Sequence, residues 1–264
     1  MRSCIALSAL LATLGCTSLG PMPATTGVAA VPASRPGVEL QAAFVPGYYL
    51  SSAVQKEGKG ASISQASLLF EPSRWFGLPG LVLGARAVGG RDTGAYGEPM
   101  IGYRTHLDSQ KSLSLGAIGY GTVASGENSG ASYSAVRGGI EGLFDFRATP
   151  ESQIFEVHLF SGMSLTGVDV DGEYCLDANG VYGVDCGNPA MNKISATARG
   201  AYPALSGGIG LDFARGIPSV FHGVRAAFQV AGGTMPTVTA AQQANPRTYG
   251  ALGLSLTLGL GARD

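Results

Sequence analysis

The sequence is poor in charge, in histidine and in long apolar runs. Charged residues make up 13% of the chain, about half the share of a typical soluble domain, so a densely charged water-exposed surface is not expected. Lysine and arginine do not cluster, and the formal net charge is -1. The sequence therefore gives no basic track for phosphates, and we predict no nucleic-acid partner.

No apolar run reaches the roughly 20 residues that a membrane-spanning helix requires. Glycine, in contrast, is abundant, with Gly 41 among 264 residues, more than twice its usual share. Each interior glycine weakens a helix by roughly 0.5 to 1 kcal/mol. The composition therefore argues against long helices of any kind.

Residues 1–16 have the pattern of an export signal, with Arg2 followed by a short apolar core and small residues. Leu14-Gly15-Cys16 is similar to the end of a bacterial lipoprotein signal, in which the cysteine becomes the lipidated first residue. Two alternatives remain: lipidation of Cys16, or ordinary cleavage near Val28-Ala29-Ala30. Residues 17–36 are rich in Pro, Ala, Thr and Gly without periodicity, and we predict a flexible tether or leader there.

Residues 131–167 carry the pattern that organises the remaining chain. Apolar side chains occupy even positions of its first run and charged side chains occupy odd positions: Val136, Ile140, Phe144 and Phe146 against Arg137, Glu141, Asp145 and Arg147. Because successive side chains of a strand point to opposite faces, this period of two predicts a strand with one apolar and one polar face. A second run follows after Ala148 to Ser152 with the opposite parity, and Phe160 is its exception.

About ten such runs occupy residues 37–264. They are longer than the usual five or six residues of a globular strand, which favours lipid outside and a polar lumen inside. Compact connections alternate with mostly longer or more polar ones, such as Ser125 to Gly130. The longest insertion, 169–197, is predicted to be an external loop. We therefore predict an all-β, antiparallel transmembrane β-barrel of about ten strands, with eight to twelve possible.

Aromatic residues gather near the compact connections, as an interfacial girdle would: Phe70, Trp75, Phe76, Tyr103, Phe144, Phe146, Phe155, Phe213 and Phe221. In this pattern residues 38–262 resemble the small outer-membrane β-barrel proteins of Gram-negative bacteria. The resemblance implies a bacterial outer-membrane location, with membrane lipid and the barrel assembly machinery as partners. A surface-interaction role would add an external ligand or surface partner, which the sequence does not identify.

Charged residues on the polar parity form the main candidate site: Glu39, Arg86, Glu98, Arg104, Arg137, Glu141, Asp145, Glu156, Asp212 and Arg225. A selective pore would be expected to show one dominant sign, whereas these charges are mixed. Because an unpaired buried charge is costly, we predict that they neutralise one another inside a narrow lumen around Arg137.

Cys175 and Cys186 lie in the same insertion of an exported chain. Exported proteins meet an oxidising compartment, so we predict a disulfide between them. In the entropy model, closing a loop of this size restricts the unfolded chain by about 3 kcal/mol.

Catalytic and metal-binding alternatives find less support. The omptin proteases, barrel enzymes with acidic residues and a histidine at the outer rim, would place Asp169 and Asp171 beside a histidine. The three histidines, His106, His158 and His222, are instead predicted near compact turns or early in a strand, and none begins a His-x-Ser arrangement like that of barrel lipid hydrolases.

Residues 169–173 resemble a calcium loop only in part, because the glycine is misplaced. We predict no catalytic residue, no metal and no cofactor. The sequence therefore favours a non-enzymatic barrel with a largely filled lumen and a structural or surface-interaction role. A narrow passive diffusion channel is the alternative, and a barrel enzyme is the third hypothesis.

Overall fold

A computed structural model describes residues 38–50, 63–72, 77–90, 94–128, 131–149, 155–176, 182–183, 188–190, 192–213, 221–238 and 244–260. The strands are β1 (Val38–Leu50), β2 (Ile63–Phe70), β3 (Leu81–Gly90), β4 (Gly94–His106), β5 (Leu113–Asn128), β6 (Ala131–Arg147), β7 (Glu156–Leu176), β8 (Tyr182–Gly183), β9 (Asn192–Phe213), β10 (Phe221–Val238) and β11 (Ala244–Leu260). Across these described ranges, no helix is long and apolar enough to cross a membrane.

The strands pair antiparallel and close on themselves. Strands β1 to β7 pair in sequence order. Strand β7 then pairs with β9, and the ladder continues through β10 to β11, which pairs with β1. The two-residue β8 only adds to the end of β7. The described residues therefore form a closed ring of ten long strands, and the prediction of an all-β antiparallel barrel of about ten strands is confirmed.

The two faces of the wall differ in polarity as the alternation predicts. On β6, Val136 is 54% exposed on the outer face while its neighbour Arg137 is 1% exposed on the inner face. The other strands repeat this arrangement with exposed outward leucine, isoleucine, valine and phenylalanine side chains. An apolar outer surface around a polar interior is the arrangement typical of barrels that span a membrane.

One end of the barrel, called the turn end here, carries the six-residue connection between His106 and Leu113. Aromatic side chains are exposed outward near it: Tyr103, Phe144, Phe146, Phe155 and Phe213. Phe70 is half-buried. Trp75 and Phe76 lie outside the described residues, as does the side chain of Phe221.

At the opposite end, called the projecting end, β7 and β9 extend beyond their neighbours. The ladder between them continues without interruption from Asp169 opposite Arg199 to Leu176 opposite Asn192. The predicted loop 169–197 is therefore wrong in its bounds, since residues 169–176 and 192–197 are strand and only 177–191 connect β7 to β9. The polar outward side chains of this segment hid its strand character from the sequence pattern.

The connection predicted at Ser125 to Gly130 is also shorter than expected. Strand β5 runs to Asn128, β6 begins at Ala131, and these two residues pair. The polar segment is the end of a hairpin, because the ladder between β5 and β6 continues from Ser125 opposite Ser134 to Asn128 opposite Ala131. Long connections at this end are therefore fewer than the sequence predicted.

Polarity inverts where the wall enters the projecting end. On β7 the outward residue Leu165 is followed on the same face by Asp169, while the inward residue Thr166 is followed by buried Val168. On β6, inward Ala135 is buried and outward Ser134 is exposed. The outer face therefore changes from apolar to charged at this level, and its charged part would be costly to place in hydrocarbon.

An apolar layer crosses part of the interior. It is formed by Leu69, Val82, Met100, Ile118, Tyr120 and Leu143, which are all buried and in mutual contact. Gly84 lies beneath it, and a Cβ there would come within 2.7 Å of the Leu69 side chain. Since Leu143 falls between Glu141 and Asp145 on β6, this layer separates two groups of charged residues.

Candidate functional site

The first group, called the central charge group, consists of Arg86, Glu98, Arg137 and Glu141. Arg86 on β3 lies directly opposite Glu98 on β4 in the ladder, so the register alone brings them together. Arg86 Nε donates to Glu98 Oε1 at 2.5 Å, and its Nη2 also pairs with that oxygen. The Nη1 of Arg86 lies 3.6 Å from Glu141 Oε2.

Arg137 reaches the same carboxylate from the other side. Its Nη1 donates to Glu98 Oε2 at 2.8 Å and to the Tyr96 hydroxyl oxygen at 2.5 Å. The four side chains of the group are 0% exposed. Two guanidinium groups thus face two carboxylates, and the group is electrically balanced, as a buried set of charges must be.

Tyr120 lies between the two arginines. Its ring centre is 4.7 Å from the Arg86 guanidinium carbon and 5.2 Å from that of Arg137. Its hydroxyl shares a 2.6 Å hydrogen bond with Thr166 on β7. A Cβ at Gly139 would lie 2.6 Å from that hydroxyl, so glycine at this position leaves room for the ring to cross β6. Cation-π contacts of this kind stabilise desolvated guanidinium groups.

The second group, called the turn-end charge group, lies on β6, β7, β9 and β10. It consists of Asp145, Arg147, Glu156, His158, Asp212 and Arg225. His158 Nδ1 is 2.7 Å from Asp145 Oδ1, and its Nε2 is 3.5 Å from Glu156 Oε2. Arg225 is 3.4 Å from both Asp145 and Asp212. Arg147 is 3.9 Å from Glu156.

The candidate residues of the sequence are thus divided rather than gathered around Arg137. Arg86, Glu98, Arg137 and Glu141 meet in the central group, and Asp145, Glu156, Asp212 and Arg225 meet in the turn-end group. Arg104 belongs to neither, because its Nε and Nη2 donate to Glu71 at 3.1 and 2.9 Å. Glu39 lies on β1, and its side chain is outside the described residues.

Several residues of these groups were not singled out from the sequence. Tyr96 shares the inward parity of Glu98 and Arg104 on β4, a signal that could have identified it. The sequence pattern indicates His158 only as a candidate catalytic base, and it does not indicate Glu71 or Tyr120. Their contacts depend on which strands become neighbours in the ring, which alternation along one strand does not reveal.

The acidic residues and the histidine that a catalytic site at the outer rim would require do not lie together. Asp169 and Asp171 contact Arg199 at 2.8 and 3.6 Å, whereas His158 lies at the other end of β7. His106 accepts or donates a 2.9 Å hydrogen bond with Ser114 near the turn end. The side chain of His222 is outside the described residues. Among the residues that the structure describes, no group of three or more histidine, cysteine, aspartate and glutamate side chains is placed to hold a metal ion.

The cysteine predictions fall largely outside the described residues. Cys16 and Cys186 both lie there, so the lipidation and the disulfide stay predictions. Only the backbone of Cys175 is described, opposite Gly183 and Lys193 in the β7 ladders.

Comparison with known proteins gives fold likenesses only. No protein-family model matches the sequence, and no curated protein matches it. The crystal structure of Neisserial surface protein A, NspA, is 13% identical with a TM-score of 0.33, covering 85% of this chain and 97% of that chain. The N-terminal β-barrel domain of Pseudomonas aeruginosa OprF is 7% identical with a TM-score of 0.24, covering 84% of this chain and 98% of that chain. Likenesses of this size carry no functional information, and the barrel is defined by the strand pairing of this chain itself.

Proposed function

We propose that the protein is a non-enzymatic outer-membrane barrel whose lumen is closed by its own side chains. In this proposal it has a structural or surface-interaction role, exerted through the projecting end. The observation that carries the proposal is the full burial of the four charged side chains of the central group. A water-filled pore past these residues would leave them exposed.

The outer surface supports a membrane location. On β6 the outward apolar residues run from Phe146 to Val136, ten positions apart. At roughly 3.3 Å per residue and a strand tilt of roughly 40°, this corresponds to a height of about 25 Å. An apolar band of about that height is typical of outer-membrane barrels, and the exposed aromatic residues of the turn end lie at one of its borders.

Planar-bilayer recording of the refolded protein tests the closed lumen. The wild-type protein is expected to pass almost no current. Arg137→Ala is expected to raise the conductance, because it removes the guanidinium that Glu98 and Tyr96 hold and opens space for water. Steady current through the wild-type protein would instead support a narrow diffusion channel.

Cell fractionation tests the location. The protein is expected in the outer-membrane fraction, and its gel migration is expected to change after boiling, as the barrel resists unheated detergent. Recovery in the soluble periplasm would contradict the proposal.

A further inference from the structure

Strand β9 has an open edge at the projecting end. On one side it pairs with β7 from Asn192 to Asp212. On the other side it pairs with β10 only from Ala204 to Phe213. Among the residues that the structure describes, no strand pairs with this second side of β9 before Ala204. An unpaired strand edge is a template for a further strand, and proteins usually cover or shorten it.

The opposite edge of the same hairpin is covered. Strand β6 pairs with β7 as far as Gly172, and β8 pairs with Cys175 and Leu176. Strand β8 is part of the connection between β7 and β9, and it adds to the edge of the hairpin that faces away from β10. Within the described ranges, the connection therefore leaves the open edge of β9 uncovered.

The register shows which residues direct their backbone groups to the open edge. A Cβ on Gly233 of β10 would lie 2.5 Å from the carbonyl oxygen of Pro203, and a Cβ on Gly139 of β6 would lie 2.4 Å from that of Leu165. Leu165 and Pro203 are opposite each other on β7 and β9, so their carbonyl groups point apart and they form a non-hydrogen-bonded pair. Such pairs alternate with hydrogen-bonded ones along an antiparallel ladder. The residues of segment 195–201 that share the orientation of Pro203 are Ser195, Thr197, Arg199 and Ala201.

Segment 195–201 lies beyond the apolar band. On β9 the last large apolar side chain of the outer face is Leu205, and Ala201 lies roughly 13 Å further along the strand. The side chains of Ser195 and Arg199 are exposed. Arg199 is already neutralised by carboxylates of β7 at 2.8 and 3.6 Å. The segment therefore offers backbone hydrogen-bonding groups to a partner rather than a net charge.

We infer that residues 195–201 bind an extended segment of another protein, which adds to β9 as an antiparallel strand. This inference rests on the proposed surface-interaction role of the projecting end. An extended polypeptide presents N–H and C=O groups at the same spacing as the edge, and binding by strand addition uses these main-chain hydrogen bonds. The Arg199 carbonyl oxygen accepts a long hydrogen bond of 3.5 Å from the Tyr202 hydroxyl. A backbone N–H of the partner would replace it at about 2.9 Å.

A second copy of this chain fits the edge less well. Two barrels inserted the same way in one membrane have β9 strands that run in the same direction, so their open edges would meet in parallel. Two-fold symmetry would also place identical residues at the same height, whereas the bonds of a parallel pair are slanted and join residues at different heights. A segment of a separate protein is free to approach β9 in the antiparallel direction.

The two faces of the hairpin indicate the side chains of the added strand. Inward side chains at this level are buried, as Val168 and Tyr202 are, whereas Ser195 and Asp171 are outward and exposed. In an antiparallel ladder, residues directly opposite each other lie on the same face. The partner residues that exchange hydrogen bonds with Ser195 and its equivalents therefore point outward. We expect a partner that alternates polar and apolar residues and bonds to β9 through its polar ones.

A fluorescently labelled heptapeptide of alternating threonine and valine is the probe. Its fluorescence anisotropy during titration with the full-length folded barrel in detergent measures binding. One derivative carries N-methyl groups on its threonines and another carries them on its valines, which removes N–H groups from one edge of the peptide and keeps its side chains. We expect methylation of the threonines to weaken binding by at least tenfold and methylation of the valines to leave it unchanged. Equal binding of the two derivatives, or no binding of the unmodified peptide, would overturn the inference.

Thr197→Pro tests the same edge from the side of the protein. Thr197 and Asp171 are a non-hydrogen-bonded pair, so proline removes an N–H from the open edge and leaves the ladder with β7 intact. We expect the unmodified peptide to bind this variant about tenfold more weakly, whereas Thr197→Ala, which keeps the N–H, binds as the wild-type protein does. Heat-dependent gel migration checks that both variants fold. Equal binding by the two folded variants would contradict the inference, and the methylated peptides test it without any change to the protein.

The remaining outcomes separate this inference from the proposed function. Steady current through the wild-type protein contradicts the closed lumen and leaves the peptide result standing. A closed barrel that is recovered in outer membranes and binds no peptide contradicts only the added strand. Dimerisation of the wild-type barrel that Thr197→Pro abolishes, without peptide binding, would overturn the inference in favour of a second copy.

Discussion

The centre of the barrel and its turn end hold similar charged side chains in different ways. The central charge group is 0% exposed, electrically balanced and supported by two tyrosine rings. In the turn-end group most ion-pair distances are 3.4 to 3.9 Å. Arg147 and Asp212 there keep 12% and 14% of their side-chain surface. The group whose side chains are more deeply buried in the lumen is thus the more tightly paired one.

Electrostatics explain why the two regions differ. A charge without water must be neutralised by direct contacts, and removing one partner leaves the other charge uncompensated. A charge near the mouth keeps part of its hydration and can use longer contacts. We therefore expect the same chemical change to have a larger effect in the centre than at the turn end.

The largest effect is expected for Glu98→Gln. Glu98 joins Arg86 and Arg137, so its neutralisation leaves two buried guanidinium groups with only Glu141. The free energy of unfolding should fall by about 3 to 5 kcal/mol, measured by urea titration of the barrel in lipid vesicles. If Glu98→Gln lowers the free energy of unfolding by less than a variant of the turn-end charge group does, the comparison is contradicted.

Asp145→Asn is the matched change at the turn end. The asparagine keeps the shape of the side chain but weakens the contacts with His158 and Arg225. We expect a loss of about 1 to 3 kcal/mol in the same titration, with little change in bilayer conductance because the central group stays intact. A conductance rise equal to that of Arg137→Ala would show that the turn-end group also closes the lumen.

The sequence alone predicts the outer and inner faces of this barrel but not the internal partners. Alternation of Ile140 and Glu141 on β6 assigns one side chain to the outer face and the other to the lumen, and the structure agrees. Arg137 and Glu98, however, are 39 residues apart in the chain. They meet through strand order and register, which are properties of the closed ring. Alternation along one strand cannot supply them.

The projecting end was misread for a related physical reason. The outward face of β7 is apolar as far as Leu165, whereas Asp169 and Asp171 are exposed on the same face further along the strand. The alternation continues but its polarity is reversed, so a search for apolar outward positions interprets the segment as a loop. A search that accepts apolar side chains on either face of a strand extends β7 beyond residue 168.

The connection at the turn end offers a test through pH. Asp108 accepts hydrogen bonds from the Ser112 hydroxyl at 2.6 Å and from the Leu113 amide at 2.7 Å. These bonds, chiefly that from the Ser112 hydroxyl, lower the pKa of Asp108 from 3.8 to about 2. The carboxylate therefore stabilises the fold above pH 3.8, and this contribution is lost as the pH falls through about 2.

Asp108→Ala should consequently be less stable than the wild-type protein at neutral pH, and the difference should shrink as the pH falls from 3.8 to about 2. Urea titrations across this range measure it. Protonation of Asp108 should not affect the central charge group, since the apolar layer separates that group from the turn end. A difference that stays constant down to pH 2 would assign the effect to the backbone of the turn rather than to the carboxylate.

The smallest expected effect concerns Lys111 in the same connection. Lys111 has a φ of 54°, in the left-handed region where a side chain costs about 1 to 2 kcal/mol. Glycine removes that cost but loses about 0.5 to 1 kcal/mol of conformational entropy on folding. Lys111→Gly should therefore stabilise the barrel by about 0.5 to 1 kcal/mol.

Ser109→Gly is the control, because Ser109 has no positive φ and glycine there should only destabilise. If both variants lose stability equally, the turn adapts its backbone to either residue, and the strain at Lys111 contributes nothing to the difference between the turn end and the centre.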